Sequence, residues 1–316
     1  MGLRLPDRWI WDSWYFKEGD TYHAFYLCAS RGLVDGNRRH RNPSIGHAIS
    51  KDLKSWTVVA DALTPSDDSA FDSWTTWTGS VIKADNGKFH MFYTGTARED
   101  GGLTQRIGLA TSDDLITWTK HSKEALVEAD GTWYEKFNLE NWPDEAWRDP
   151  WVFRFPGEDT WHMLITARSK DGNPKTRGVL GHATSENLID WKVQHPLSKP
   201  DQGYGQQEVF QFEIVDGVPI LLFCVGWREL SEENLARFGK VDASYSLVVD
   251  EKLENVDFSN ARPFPGLEAY ASRLICGPDG KWFLMGFINE VDGKFVGELC
   301  DAIPVTADPI LGLIPR

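Results

Sequence analysis

Cysteine is scarce and poorly placed for chemistry. The four residues, Cys28, Cys224, Cys276 and Cys300, stand far apart, with no Cys-x-x-Cys pair and no histidine pattern beside them. Zinc and disulfide-scaffold readings are therefore both weak. Long apolar runs are missing as well, and no segment approaches the ~20 apolar residues of a membrane span. The opening residues, Met1-Gly2-Leu3-Arg4-Leu5-Pro6, lack the apolar stretch of a secretory signal. There is no lysine or arginine run, and 33 basic against 47 acidic residues leave a net charge of −14. Nucleic acid and anionic membrane are poor partners for such a chain. A Gly-rich phosphate loop, a His-Glu-x-x-His helix and a Gly-x-Ser-x-Gly elbow are all absent. No amphipathic helix of any length stands out. The expectation from these absences is a cytoplasmic protein with reduced thiols, away from membranes and nucleic acid.

What the chain does have is repetition. Ser50-Lys51-Asp52-Leu53-Lys54-Ser55-Trp56 returns as Ser112-Asp113-Asp114-Leu115-Ile116-Thr117-Trp118 and as Ser185-Glu186-Asn187-Leu188-Ile189-Asp190-Trp191. Each copy follows a short strand-like run carrying glycine, such as Ile45-Gly46-His47-Ala48. A second signal occurs five times. Polar turns ending in or near Gly19, Gly87, Gly157, Gly217 and Gly280 are followed by aromatic and β-branched runs such as Phe89-His90-Met91-Phe92-Tyr93. Turn residues between such runs read as β-hairpins. The spacing of roughly 60–70 residues exceeds familiar propeller repeats, so the excess is loop. Five units of about four strands, closed radially, make a five-bladed β-propeller. The fold expected is all-β, with residues 1–316 as one catalytic domain. His23, His90 and His162 share one repeat position, and His47 and His182 another, which points to structural roles. Most of the 15 tryptophans are explained by sheet packing.

The first strand of each propeller blade lines the central axis. Polar residues a similar distance before each turn glycine are Asp12, Ser80, Asp149, Glu208 and the Tyr270–Ser272 stretch. Three of these five positions are carboxylates. Crowding negative charge on an axis is repulsive and costs desolvation, so packing gives no reason for it. A lone aspartate before a turn is ordinarily a cap; three in phase suggest a site. Glu208, in Gln206-Gln207-Glu208-Val209-Phe210, has apolar neighbours whose burial of the carboxyl would raise its pKa, as a general acid requires. Paired carboxylates of this kind suit glycoside hydrolysis.

These residues resemble the β-fructosidase clan, glycoside hydrolase families 32 and 68, which holds invertases and levansucrases. Trp11-Asp12-Ser13-Trp14 is similar to the levansucrase nucleophile motif, and Trp77-Thr78-Gly79-Ser80 to a segment lining the fructose pocket. Arg148-Asp149-Pro150 matches the clan's Arg-Asp-Pro, Glu208 falls where the clan carries its acid/base, and Tyr270-Ala271-Ser272 resembles an invertase Tyr-Ala-Ser stretch. The resemblance implies Asp12 as nucleophile, Glu208 as acid/base and Asp149 as transition-state stabiliser. It implies Trp11, Trp77, Ser80, Arg148 and Tyr270 as substrate-binding residues. It implies a small carbohydrate substrate, a β-fructofuranoside such as sucrose or a short fructan, and neither metal nor cofactor in the mechanism; a structural calcium stays open.

There are departures. The invertase Asn-Asp-Pro-Asn-Gly motif is absent, Val209 follows the acid/base, and no C-terminal β-sandwich follows the repeats. Arg228 is within reach of a leaving group or simply a surface arginine. Fructosyl transfer, an arabinofuranosidase- or xylosidase-type propeller hydrolase and a non-enzymatic sugar-binding propeller are the competing readings.

Overall fold

A computed structural model of the protein describes residues 2–266, 269–291 and 293–316. The sequence repeat becomes five antiparallel sheets. Blade one comprises β1 (Arg8–Glu18), β2 (Thr21–Ser30), β3 (Ser44–Ser50) and β4 (Thr57–Val58). Blade two comprises β5 (Thr75–Lys83), β6 (Phe89–Thr96), β7 (Gln105–Ser112) and β8 (Thr119–Lys120). Blade three comprises β9 (Trp147–Phe153), β10 (Trp161–Arg168), β11 (Gly178–Ser185) and β12 (Trp191–Gln194). Blade four comprises β13 (Glu208–Val215), β14 (Val218–Val225), β15 (Ala243–Val248) and β16 (Arg262–Pro263). Blade five runs β17 (Ala269–Cys276), β18 (Trp282–Val291), β20 (Ile303–Asp308) and β21 (Gly312–Pro315), with β19 (Lys294–Leu299) paired to β18. The innermost strands β1, β5, β9, β13 and β17 neighbour one another in a ring, giving a five-bladed β-propeller. Blades one and five meet where the Leu299 amide donates to the Leu3 carbonyl at 3.0 Å.

The repeated Ser-x-Asp-Leu-x-x-Trp segment is the turn between third and fourth strands. Leucine at its centre is left-handed (Leu53 φ 59°, Leu115 φ 64°, Leu188 φ 69°), a conformation disfavoured for a residue with a Cβ. Side-chain oxygens hold it there. The Ser112 hydroxyl accepts from the Leu115 amide at 2.9 Å, and Asp114 Oδ1 from Ile116 and Thr117 at 2.8 and 2.7 Å. The leucine is thereby driven into the core. The motif's tryptophan packs edge-on against the preceding blade, Trp118 on Phe25 at 5.7 Å and Trp191 on Phe92 at 5.6 Å. The repeat thus ties adjacent blades together. Blade four uses a variant that the sequence pattern did not reveal, Asp250 capping Lys252, Glu254 and Asn255 around left-handed Leu253.

Histidines at matching positions pair within blades, His23 Nδ1 with His47 Nε2 and His162 Nδ1 with His182 Nε2, both at 3.0 Å. Burial lowers the pKa of both His47 and His182 to about 3, so these pairs are neutral packing elements. One short α-helix, α1 (Glu232–Phe238), interrupts the β architecture between β14 and β15. It is capped by the Ser231 hydroxyl and is too short to show a helical period.

Every inner strand is irregular at the same height. Pairing with the second strand shifts between Trp11 and Ser13, between Trp77 and Gly79, opposite Leu164–Thr166, between Glu208 and Gln211, and between Tyr270 and Arg273. These β-bulges leave residues unpaired and re-aim side chains. In blade three the bulge also accommodates Pro150, which has no amide for a ladder.

Candidate active site

The bulges open onto one cavity of about 300 Å³ on the axis. Asp12, Asp149 and Glu208 all line it, from blades one, three and four, together with Trp11, Trp77, Arg148 and Tyr270. Seven of the eight residues picked from the sequence therefore meet. Ser80 does not. It is 1% exposed, and its hydroxyl accepts from the Val152 amide at 3.1 Å, between blades two and three. The bulge after Trp77 breaks the alternation, so Thr78 faces the cavity in its place.

The Thr78 hydroxyl donates to Asp12 Oδ2 at 2.6 Å. Burial pushes the Asp12 carboxyl up to about 6; the Thr78 bond opposes this and nearby Glu208 adds to it. Asp149 is 3% exposed and is pushed up to about 7, again chiefly by burial, with Arg148 opposing. Its backbone is left-handed (φ 57°), as is that of Val209 (φ 57°) and Ala271 (φ 46°). Such strain persists only where surroundings hold it. Here the threonines of neighbouring blades do so: Asp149 N donates to Thr94 Oγ1 at 2.9 Å, and Val209 N to Thr166 Oγ1 at 3.2 Å. The Thr166 hydroxyl itself donates to Asp149 Oδ2 at 2.9 Å.

Arg148, Glu208 and Tyr270 each stand just before the left-handed residue of their blade, and they form a chain across three blades. Arg148 donates to Glu208 Oε1 at 2.6 Å, and the Tyr270 hydroxyl to Glu208 Oε2 at 2.5 Å. A second Arg148 donor reaches Gln105 Oε1 at 2.9 Å, and its Nε lies 3.5 Å from Asp149 Oδ2. Burial works against the Arg148 charge, but Glu208, Asp149 and Asp144 outweigh it and its pKa rises. The apolar environment anticipated for Glu208 is not there. Val209 and Phe210 turn into the core, 2% and 0% exposed, while the carboxylate meets a guanidinium and a phenol.

Several wall residues carry no signal in the repeat. Gln105 begins β7, and Asp144 lies in the loop before β9, its Oδ1 buried without a partner among the described residues and its carboxyl raised by burial. That loop is pinned by Lys136 on Glu145 at 2.5 Å and by Arg168 3.7 Å over Trp142. Gln206 precedes Glu208 by two residues and so shares its face, a signal that period-two reading offers. Its amide donates to Glu208 at 3.4 Å and to Glu229 at 3.0 Å. Burial, then Glu208, raises Glu229. Arg228 points elsewhere, its guanidinium 4.4 Å from the ring of Trp227, in a separate hollow.

Residues 10–297 match the family described as Glycosyl hydrolases family 32 N-terminal domain. The chain belongs to this family. Its curated relatives include beta-fructofuranosidase, insoluble isoenzyme 2, of Daucus carota, 31% identical over 89% of this chain and 46% of the relative. The cell wall isozyme of beta-fructofuranosidase from Pisum sativum is 30% identical over 72% of this chain and 35% of its own. The family 32 chain thus spans about half or less of the length of these curated relatives. In fold it is similar to a Bombyx mori beta-fructofuranosidase in complex with sucrose (TM-score 0.75, 19% identity, 97% of this chain and 62% of that one). It is also similar to an inulosucrase of Halalkalicoccus jeotgali bound to kestose (TM-score 0.74, 20% identity, 98% and 88%).

These relatives correct one expectation. The expectation of a cytoplasmic location, drawn from the cysteine spacing and the polar opening residues, is at odds with the Pisum sativum relative, which is named for the cell wall. The physical basis was also weak. All four thiols are free and buried or half-buried in separate strands or strand ends, and burial pushes Cys28 and Cys300 up to about 11. Buried thiols such as Cys28 and Cys300 are protonated and shielded, so their reduced state says nothing about compartment. Among the described residues no helix is long and apolar enough to cross a membrane.

Proposed function

We propose that residues 1–316 form one catalytic propeller that hydrolyses β-fructofuranosides, sucrose or short fructans, with retention at the anomeric carbon. Asp12 attacks that carbon while Glu208 protonates the departing oxygen; Glu208 then deprotonates water, which releases fructose from Asp12. Arg148 and Asp149 hold secondary hydroxyls of the fructosyl ring, with Trp11, Trp77 and Tyr270 as walls. The observation carrying this reading is the meeting of Asp12, Asp149 and Glu208 in one cavity of a family 32 chain. Asp12, raised by burial only to about 6, is still ionised at neutral pH and available as a nucleophile. The ligand this implies is a small neutral carbohydrate, not nucleic acid or membrane. Hydrolysis is favoured over transfer because the curated relatives carry fructofuranosidase names.

The test is a sugar-release screen over sucrose, inulin, levan and aryl arabinosides, with methanol as competing acceptor. Fructose release from the first three and methyl β-fructofuranoside from methanolysis are expected. Release from the arabinosides alone, or an inverted methyl glycoside, would sink the proposal.

A further inference from the structure

Among the described residues, one cation of the cavity wall forms no ion pair with a carboxylate. Arg39 lies in the 3₁₀ segment Gly36–Arg41 between β2 and β3, and it is 8% exposed. One terminal nitrogen donates to the Gly36 carbonyl at 3.0 Å. Its Nε is buried with no partner among the described residues. The guanidinium sits 3.7 Å over the Phe295 ring and 5.7 Å from Trp11, so two aromatic faces hold its plane. Arg148, the other arginine of the wall, is already engaged by Glu208, Gln105 and Asp149. Burial lowers the Arg39 pKa to about 10, against the pull of Asp12, Glu290 and Asp35, none of which forms an ion pair with it among the described residues. Keeping such a group buried and under-bonded is expensive unless a ligand completes it.

Its position says which ligand atom that is. Arg39 faces the cavity beside Asp12 and Leu27, where blade one meets Phe287 and Asn289 of blade five. In a ring of five blades this junction lies across the axis from blade three, which carries Arg148 and Asp149. With secondary hydroxyls on blade three and the departing oxygen at Glu208, the oxygens of a fructosyl unit left for the far wall are its two primary alcohols. We propose that Arg39 is a specificity-determining residue that donates hydrogen bonds to a primary-alcohol oxygen of the fructosyl unit seated over Asp12. This rests on the fructofuranosidase reading. It adds a recognition element from a loop outside the propeller repeat, built on a fixed guanidinium that discriminates against glycosyl units lacking that oxygen.

The experiment is a cycle of enzyme and substrate changes. Wild type, Arg39→Gln and Arg39→Lys are assayed on sucrose and on sucrose deoxygenated at C1 or at C6 of the fructosyl unit. Melting temperatures confirm that each variant is folded. Loss of a hydrogen bond to a charged donor is expected to lower kcat/KM about 10- to 100-fold. Wild type should lose that factor on one deoxy substrate, and Arg39→Gln should lose it on sucrose. Arg39→Gln should lose nothing further on the same deoxy substrate, with Arg39→Lys in between. Losses that multiply, or a wild type indifferent to both deoxygenations, overturn the assignment while leaving the function intact. A wild type that cleaves no fructofuranoside overturns both.

Discussion

Replacing Thr78 with valine removes one hydroxyl and leaves the shape of the wall. That hydroxyl donates to Asp12 Oδ2 at 2.6 Å and is the main influence holding the carboxyl down against burial. A hydrogen bond to a charged group is worth about 1.5–3 kcal/mol, and 1.36 kcal/mol corresponds to one pKa unit, so Asp12 should rise by about 1–2 units. Burial raises Asp12 to about 6 and Asp149 to about 7, and the proposed mechanism uses both ionised, so wild-type activity is expected to fall as pH drops through that window. Treated as independent titrations, the variant loses about 5- to 50-fold more kcat/KM than wild type near pH 6, and less than about two-fold near pH 9. The assay is the pH profile of kcat/KM for sucrose hydrolysis. An acid limb that stays where wild type has it, or an equal loss at every pH, would refute the role given to Asp12 ionisation.

Two further perturbations separate roles within the same fold. Glu208→Gln removes the proton donor, so sucrose cleavage should fall by about 10²- to 10⁴-fold, the usual contribution of general acid–base catalysis. A fructosyl substrate with an acidic leaving group should lose far less, because departure then needs little proton transfer; equal losses on both would exclude the role. Glu213 lies further along β13, in a hollow with Phe16, Trp151 and Leu274, and its hydrogen bond is with Gln211 at 3.1 Å. Burial pushes it up to about 7 from 4.5, so its stabilising contribution is present when protonated and is lost as pH rises through 7. Glu213→Gln should therefore raise unfolding free energy at pH 8 relative to pH 4 by up to about 3 kcal/mol, read from urea titrations at the two pH values. A variant difference independent of pH would show that the carboxyl is not buried in the folded state.

The five-unit organisation was legible because each unit repeats devices that local chemistry demands. Left-handed turns need glycine, as at Gly87 (φ +83°) and Gly217 (φ +85°), and the Ser/Asp-capped leucine turn needs its caps. Asp12, Asp149 and Glu208 were legible for a related reason, since inner strands of a propeller converge. Counting back from the turns missed by two residues in blade two, however. A bulge in every inner strand makes Thr78, not Ser80, the neighbour of Asp12, and it puts Glu208 level with Arg148 and Tyr270.

The amino-acid order by itself determined the number of blades, their hairpins and the acidic residues brought to the axis, because periodicity and turn chemistry act over a few residues. Only the tertiary structure decided the rest of the site. Gln105, Asp144 and Arg39 reach the cavity from a third strand and from two loops, where no period operates. The charge state of each carboxyl likewise depends on groups from other blades. Asp12 accepts from Thr78 of blade two, and Asp149 from the Val209 amide of blade four at 3.4 Å, across separations that no local pattern spans. Electrostatic and hydrogen-bond energies depend on distance in space, and the closed ring sets those distances only once all five blades are in place.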